Sequence, residues 1–157
     1  TFGRFIADGA INVTPDEVFM QGTFRTVDEI WRTDAQHKMK LIAESIAHGM
    51  GGTCEFNIVR GYPSLINEEE LTGKVMEYAT TYLGVENILH GDLLMVSEDF
   101  SYYSQVADSC FYLIGVGNAE KGIGSSLHTP TFNIDEDALA ISMGLMAYIA
   151  LSYLSSL

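Results

Sequence analysis

A histidine in a turn-rich loop, His128 in the run Leu127-His128-Thr129-Pro130-Thr131-Phe132-Asn133, is the residue with the clearest capacity for chemistry. An imidazole can ligate a divalent metal through one ring nitrogen or move a proton near neutral pH. Pro130 disfavours helical backbone at Thr129, so the ring sits beside a stiffened segment. A lone loop histidine is nevertheless most often a solvent-facing residue, and context has to reverse that reading. Three other groups join it. Arg25, in Gly22-Thr23-Phe24-Arg25-Thr26, offers a fork for a carboxylate, although the bland reading is a surface ion pair worth about 0–1 kcal/mol. Asn12 can hydrogen-bond an oxygen that becomes anionic, or simply satisfy the backbone of a neighbouring turn. Glu98, in Ser97-Glu98-Asp99-Phe100-Ser101-Tyr102, stands with Asp99 where acids also serve the free N–H groups and dipole of a helix start. His37 and His48 fall on a helical stretch and His90 in a glycine-flanked loop, so all three read as structural.

The elements that must position these groups follow from periodicity. Residues 4–13 and 17–26 alternate as two strands around Thr14-Pro15-Asp16, an antiparallel hairpin. Asn12 then lies beside the turn and Arg25 at the far end, roughly 20 Å away at about 3.3 Å per residue. Thr26 and Glu29 fit a capping box for a helix reaching about His48 and ending at Gly49. Trp31, Ala35, Met39, Ile42 and Ile46 make its apolar stripe, expected to be core. Residues 54–59 alternate as a third strand, completing a β-β-α-β run. Phe19, on the other sheet face, is a candidate contact for a second subunit. Beyond residues 64–66, which read as a linker, Asn67 and Glu70 predict a capped helix striped by Leu71, Val75, Tyr78 and Tyr82 and ending at Gly84. Ser97 predicts a cap for a short helix to about Gln105. Residues 110–116 are apolar on both faces, as in a strand inside a covered sheet. Residues 117–130 form a long loop, and loops of that length tend to carry function. Asn133 and Glu136 predict the cap of a last helix to about Leu154, apolar nearly all round and therefore expected to be deeply buried. One buried-type strand cannot cover itself, so residues 67–157 call for further strands from elsewhere, as in a truncated chain.

Composition narrows the classes. The 157 residues are 47% hydrophobic, enough for a packed core. The formal charge of −13 argues against nucleic acid and anionic membrane as partners. No signal peptide is visible and no apolar run approaches the roughly 20 residues that span a bilayer. Cys54 and Cys110 lack metal-type spacing and fit reduced thiols in a cytoplasmic protein.

Taken together, the His128 loop, the Ser97–Tyr102 segment and the Gly22–Thr26 segment resemble the C-terminal part of the two-metal aminoacylase/carboxypeptidase amidohydrolases, especially the branch acting on N-acyl amino acids and hippurate. The resemblance implies a mixed α+β and α/β chain. Residues 1–65 would be part of a ferredoxin-like lid that dimerises, and residues 66–157 the C-terminal part of an α/β catalytic domain. It implies a pair of divalent ions, zinc first, with manganese, cobalt or nickel as alternatives that one imidazole equally suits. His128 matches the family's last metal-ligating histidine. Asn12 and Arg25 match the lid residues that contact substrate, and Glu98 borders the site. The remaining ligands, the general base and a lid histidine would lie upstream of Thr1, so the chain alone is expected to be inactive. The implied substrate is a small N-acyl amino acid or peptide-like amide. The separation of Asn12 from Arg25 further implies that one of them serves a partner subunit in a homodimer. A non-catalytic dimerisation or binding module built on the same fold is the alternative. A stand-alone ferredoxin-like sensor fits residues 1–65 only.

Overall fold

A computed structural model describes residues 1–156, which divide into two compact units. The first comprises residues 1–64 with 94–97, and the second residues 65–93 with 98–156.

In the first unit, β1 (Phe2–Ile6) and β2 (Phe19–Gly22) pair antiparallel. The register sets Ile6 against Phe19 and Phe2 against Gly22, with an irregularity between Phe2 and Arg4. The strands are shorter than the alternation predicts. Ladder pairing stops at Ile6, and the link carries its own tight turn, where Ala10 and Val13 exchange both backbone hydrogen bonds across Ile11 and Asn12. The chain thus reverses locally at Ile11-Asn12, ahead of Pro15.

Helix α1 (Glu29–Gly49) is capped by Asp28, whose carboxylate accepts from the Trp31 amide at 2.8 Å. Thr26 instead accepts from the Asp28 amide. Glu29 does not fold back onto the helix start, because it is occupied elsewhere: it accepts from the Ser64 amide and hydroxyl and pairs with Arg32 and Arg60. The left-handed backbone that follows the helix falls at Gly51 (φ +83), past Gly49, and a glycine tolerates it without a Cβ penalty. The expected core stripe is only partly covered. Ala35 and Met39 are half-buried, but Trp31, Ile42 and Ile46 are exposed, Trp31 at 53%. The covered side is centred instead on Arg32, which donates to the Tyr62 carbonyl. Residues 54–59 retain a two-residue alternation, with Cys54 and Phe56 half-buried and the outward Asn57 and Glu55 bonded to each other. Among the described residues no neighbouring backbone pairs with them, so the third strand of the β-β-α-β run does not form a ladder.

In the second unit, α2 (Glu69–Leu83) packs on α3 (Asp137–Ser155) around Val75, Ala79, Leu145 and Ile149. Leu71 and Tyr78 of the predicted stripe lie against this cluster, and α2 ends at Gly84 (φ +89) as expected. The α2 cap is Glu68, which accepts from the Glu70 and Leu71 amides. Asn67 has a different task. Its side-chain amide pairs with both backbone groups of Phe111, at 2.9 and 2.8 Å, as a strand neighbour would. Residues 110–116 turn one face, Cys110, Tyr112 and Ile114, to the helices, while Leu113 on the other face is 69% exposed. The run is therefore covered on one side only and has no full ladder among the described residues. The α3 helix shows the same half-coverage. Ala138, Leu145 and Ile149 are buried, whereas Leu139, Met143, Met146 and Leu151 are exposed. An 18-residue stretch of this 19-residue helix has a mean hydropathy of 1.7, so the helix is long and apolar enough by length and composition to cross a membrane, contrary to the expectation that no run approaches that size.

Candidate functional site

His128 lies at the tip of the loop that joins residues 110–116 to α3. It is exposed and has left-handed backbone, φ +62, the single positive φ outside glycine among the described residues. Side chains with a Cβ avoid this region, although histidine visits it more readily than most. The tip is shaped by local bonds: Thr129 donates to the Ser126 carbonyl, the Phe132 amide to the Thr129 carbonyl, and the Ser125 and Thr131 hydroxyls meet at 2.9 Å. The stiffness anticipated from Pro130 thus belongs to a turn stapled across Ser125 and Thr131.

Further down, the loop is drawn together at its base. Asn118 and Ile123 exchange backbone bonds at 2.8 Å around a turn that passes through Gly122. The Asn118 side chain accepts from the Glu120 and Lys121 amides and donates to Asp135 at 2.6 Å. Lys121 reaches across to Asp135 at 2.6 Å and to Asp137 at 2.7 Å, and the Asp135 amide bonds the Val116 carbonyl. The hydrogen bonds to Asp135 and Asp137 raise the Lys121 ammonium above its usual range. The Asp135 carboxyl is held low by Lys121 first and Asn118 second. These residues were not identified as functional from sequence. The one legible signal is the Asn-Ala-Glu-Lys-Gly turn composition facing Asp135-Glu136-Asp137.

The other candidates are distributed as follows. Glu98, in the same unit as His128, is the cap of a 3₁₀ turn (Asp99–Gln105) and accepts from the Phe100 amide at 3.2 Å. It, and not Ser97, makes that cap, so its carboxylate has a structural duty. Phe100 stacks on Tyr103 and Phe111 beside it. In the other unit Asn12 sits exposed in the Ile11-Asn12 turn, at the Ile6/Phe19 end of the hairpin, and lines a shallow open depression with Gly9, Thr14 and Pro15. Arg25 lies past Gly22, at the opposite end, and one of its terminal nitrogens donates to the Met95 carbonyl at 2.6 Å. Phe19 is exposed, with the Arg4 guanidinium 5.4 Å from its ring centre.

Among the described residues no three His, Cys, Asp or Glu side chains cluster closely enough to hold a metal ion. A catalytic zinc site takes three protein ligands and a two-metal site more. The donors among the described residues therefore do not make such a centre by themselves, and His128 alone offers a single imidazole.

Residues 5–152 match the family model described as peptidase family M20/M25/M40, and the chain belongs to that family. It is 30% identical over 151 residues to the putative amidohydrolase YhaA of Bacillus subtilis, covering 96% of this chain and 38% of the relative. It is 32% identical over 143 residues to thermostable carboxypeptidase 1 of Saccharolobus solfataricus, covering 90% and 36%. The Bacillus subtilis YXEP protein, a dinuclear metal-binding peptidase of family M20, superposes on 100% of this chain and 42% of its own, with a TM-score of 0.83 and 29% identity. The chain thus spans well under half the length of the relatives it matches.

Proposed function

We propose that this chain is the C-terminal portion of a metal-dependent amidohydrolase that cleaves N-acyl amino acids or related peptide-like amides. The observation that carries the reading is the superposition of the whole chain on a dinuclear metal-binding peptidase of its own family. The names of its relatives, amidohydrolase and carboxypeptidase, point to the same class of bond. Fragment status is supported by the 38% coverage of the first relative and by two open apolar surfaces, the Leu113 face and the outer face of α3. Both would be covered by sheet and helix of a longer catalytic domain.

In this reading His128 is one metal ligand, and the rest of the ligand set and the general base come from outside residues 1–157. Divalent ions in such sites activate water for attack on an amide carbonyl, and zinc is the proposed metal, with manganese, cobalt or nickel as alternatives. Arg25, with one nitrogen occupied by Met95, retains further N–H donors to fork the substrate carboxylate. Asn12 would donate its amide to the carbonyl under attack. Their location at opposite ends of one hairpin supports a homodimer in which one of the two serves the partner subunit's site. The two unpaired cysteines, Cys54 and Cys110, support a cytoplasmic location.

The test is metal analysis and assay of the longer protein against N-acetyl amino acids and hippurate, beside the 157-residue chain. Two metals per subunit and hydrolysis by the longer protein alone are expected. Activity in the isolated chain would sink the fragment reading. A longer protein with neither metal nor activity would favour the second reading, a non-catalytic binding or dimerisation module. The lack of a three-ligand cluster among the described residues gives that reading its foothold.

A further inference from the structure

The loop that carries His128 is closed by groups that have no part in the proposed chemistry. Asp135 is only 14% exposed at its side chain, yet its carboxylate receives Lys121, Asn118 and the Asp137 amide. Lys121 and Asn118 stand on the outgoing limb of the loop, and Asp135 and Asp137 on the returning limb at the head of α3. Nearer the tip, side chains also link the two limbs at the Ser125–Thr131 hydroxyl pair and through the Thr129 hydroxyl on the Ser126 carbonyl. Hydroxyl pairs of this kind exchange readily with water, whereas a lysine bridging two carboxylates with a third polar partner is a network in which each bond supports the others.

We propose that Lys121, Asn118 and Asp135 form a clamp that closes the base of this loop and thereby positions the His128 imidazole. Lys121 and Asp135 are positioning residues: they act through the loop backbone and touch neither substrate nor metal. The clamp connects the turn at Asn118–Ile123 to the first residues of α3, so the tip is referred to a packed helix and not to solvent-exposed chain. This also accounts for how α3 starts. Glu136 stands at the cap position without a side-chain cap bond, while Asp135 and Asp137, the acids flanking it, are committed to Lys121. The left-handed backbone of His128, a conformation that a free loop would relax, is kept because both limbs are held.

The clamp's importance to function rests on the proposed ligand role of His128, and the experiment separates the two. Backbone amide hydrogen exchange and the imidazole NMR signals of His128 are recorded on the metal-free 157-residue chain for wild type, Lys121→Met and Lys121→Arg. Lys121→Met is expected to speed exchange at Asn118, Ile123, Phe132 and Asp135 by at least about tenfold and to shift the His128 ring signals toward random-coil values, with exchange in α2 unchanged. Lys121→Arg keeps the charge and donors and is expected to restore both. If Lys121→Met does not fold, Lys121→Gln gives the same reading. The clamp is overturned if removing the Lys121 charge leaves loop exchange and ring signals as in wild type, or if arginine fails to restore them. The ligand role fails separately, if His128→Ala in the longer protein retains both metals.

Discussion

Replacing His128 by glycine measures what the chain gives up to hold an imidazole at this position. The backbone there has φ +62. A side chain with a Cβ loses about 1–2 kcal/mol in the left-handed region, which glycine does not. Glycine in turn adds unfolded-state freedom, a cost of about 0.4–1 kcal/mol. The difference places His128→Gly between about 0 and 1.6 kcal/mol more stable than wild type. The ring is exposed, and no hydrogen bond to it is found among the described residues, so little is lost with it. With a urea slope near 2 kcal/mol per molar, the unfolding midpoint should stay put or rise by up to about 0.8 M. His128→Ala keeps the Cβ and the strain and should match wild type within about 0.5 kcal/mol. The assay is urea unfolding followed by far-UV circular dichroism for the three chains. A fall of more than about 1 kcal/mol for His128→Gly would refute the reasoning, because it would mean that contacts of the ring hold the loop. A stable glycine variant, together with metal loss in the longer protein, would mark the histidine as retained for chemistry at a cost in stability.

Leu145, 2% exposed at the centre of the α2–α3 cluster, should cost about 2–5 kcal/mol when changed to alanine, whereas Leu139→Ala on the open face of α3 should cost under about 1 kcal/mol; equal losses would show that the buried face has been misassigned. Asn67→Ala leaves the Phe111 amide and carbonyl without their partner and should lose about 1–3 kcal/mol, read as a lower urea midpoint, and an unchanged midpoint would deny Asn67 its strand-like role. Glu29 predicts a pH dependence. Burial pushes its carboxyl up, but the Ser64 amide and hydroxyl, Arg60 and Arg32 outweigh it, and the folded-state pKa lies below the ordinary glutamate value. A depressed carboxylate contributes stability above its unfolded pKa of about 4.3 and loses it as pH falls through the lower folded value. The stability gap between wild type and Glu29→Gln should therefore be full at pH 7 and shrink below about pH 4; a gap constant from pH 7 to pH 3 would show that the charge is not what Glu29 contributes.

Local regularities were readable without coordinates. The helical stretches at Glu29–Gly49, Glu69–Leu83 and Asp137–Ser155, the hairpin, the stop at Gly84 and the long loop around His128 follow from periodicity, turn chemistry and glycine placement, each of which acts over a few residues. The residues that do the capping were less legible. At all three helices a neighbouring residue stands at the cap in place of the expected one: Asp28 for Thr26, Glu68 for Asn67, and Glu136, itself without a cap bond, for Asn133. Several polar side chains could satisfy each helix start, and which one does depends on where the others are needed. Asn67 is taken by Phe111 and Glu29 by Ser64, partners 44 and 35 residues away.

What the amino-acid sequence determined by itself is the family, through the order of its motifs, and the presence of one histidine on the long loop before α3. Tertiary structure alone decided which faces are covered. Apolar pattern states what a segment prefers to bury, but a ladder needs a neighbouring backbone and a buried face needs a facing surface, so residues 54–59, residues 110–116, Trp31 and the outer face of α3 could not be judged from their own composition. The same holds for the loop base. Lys121 is one of eight basic residues in an acidic chain, and only the return of the loop to the head of α3 brings Asp135 and Asp137 within 2.7 Å of it.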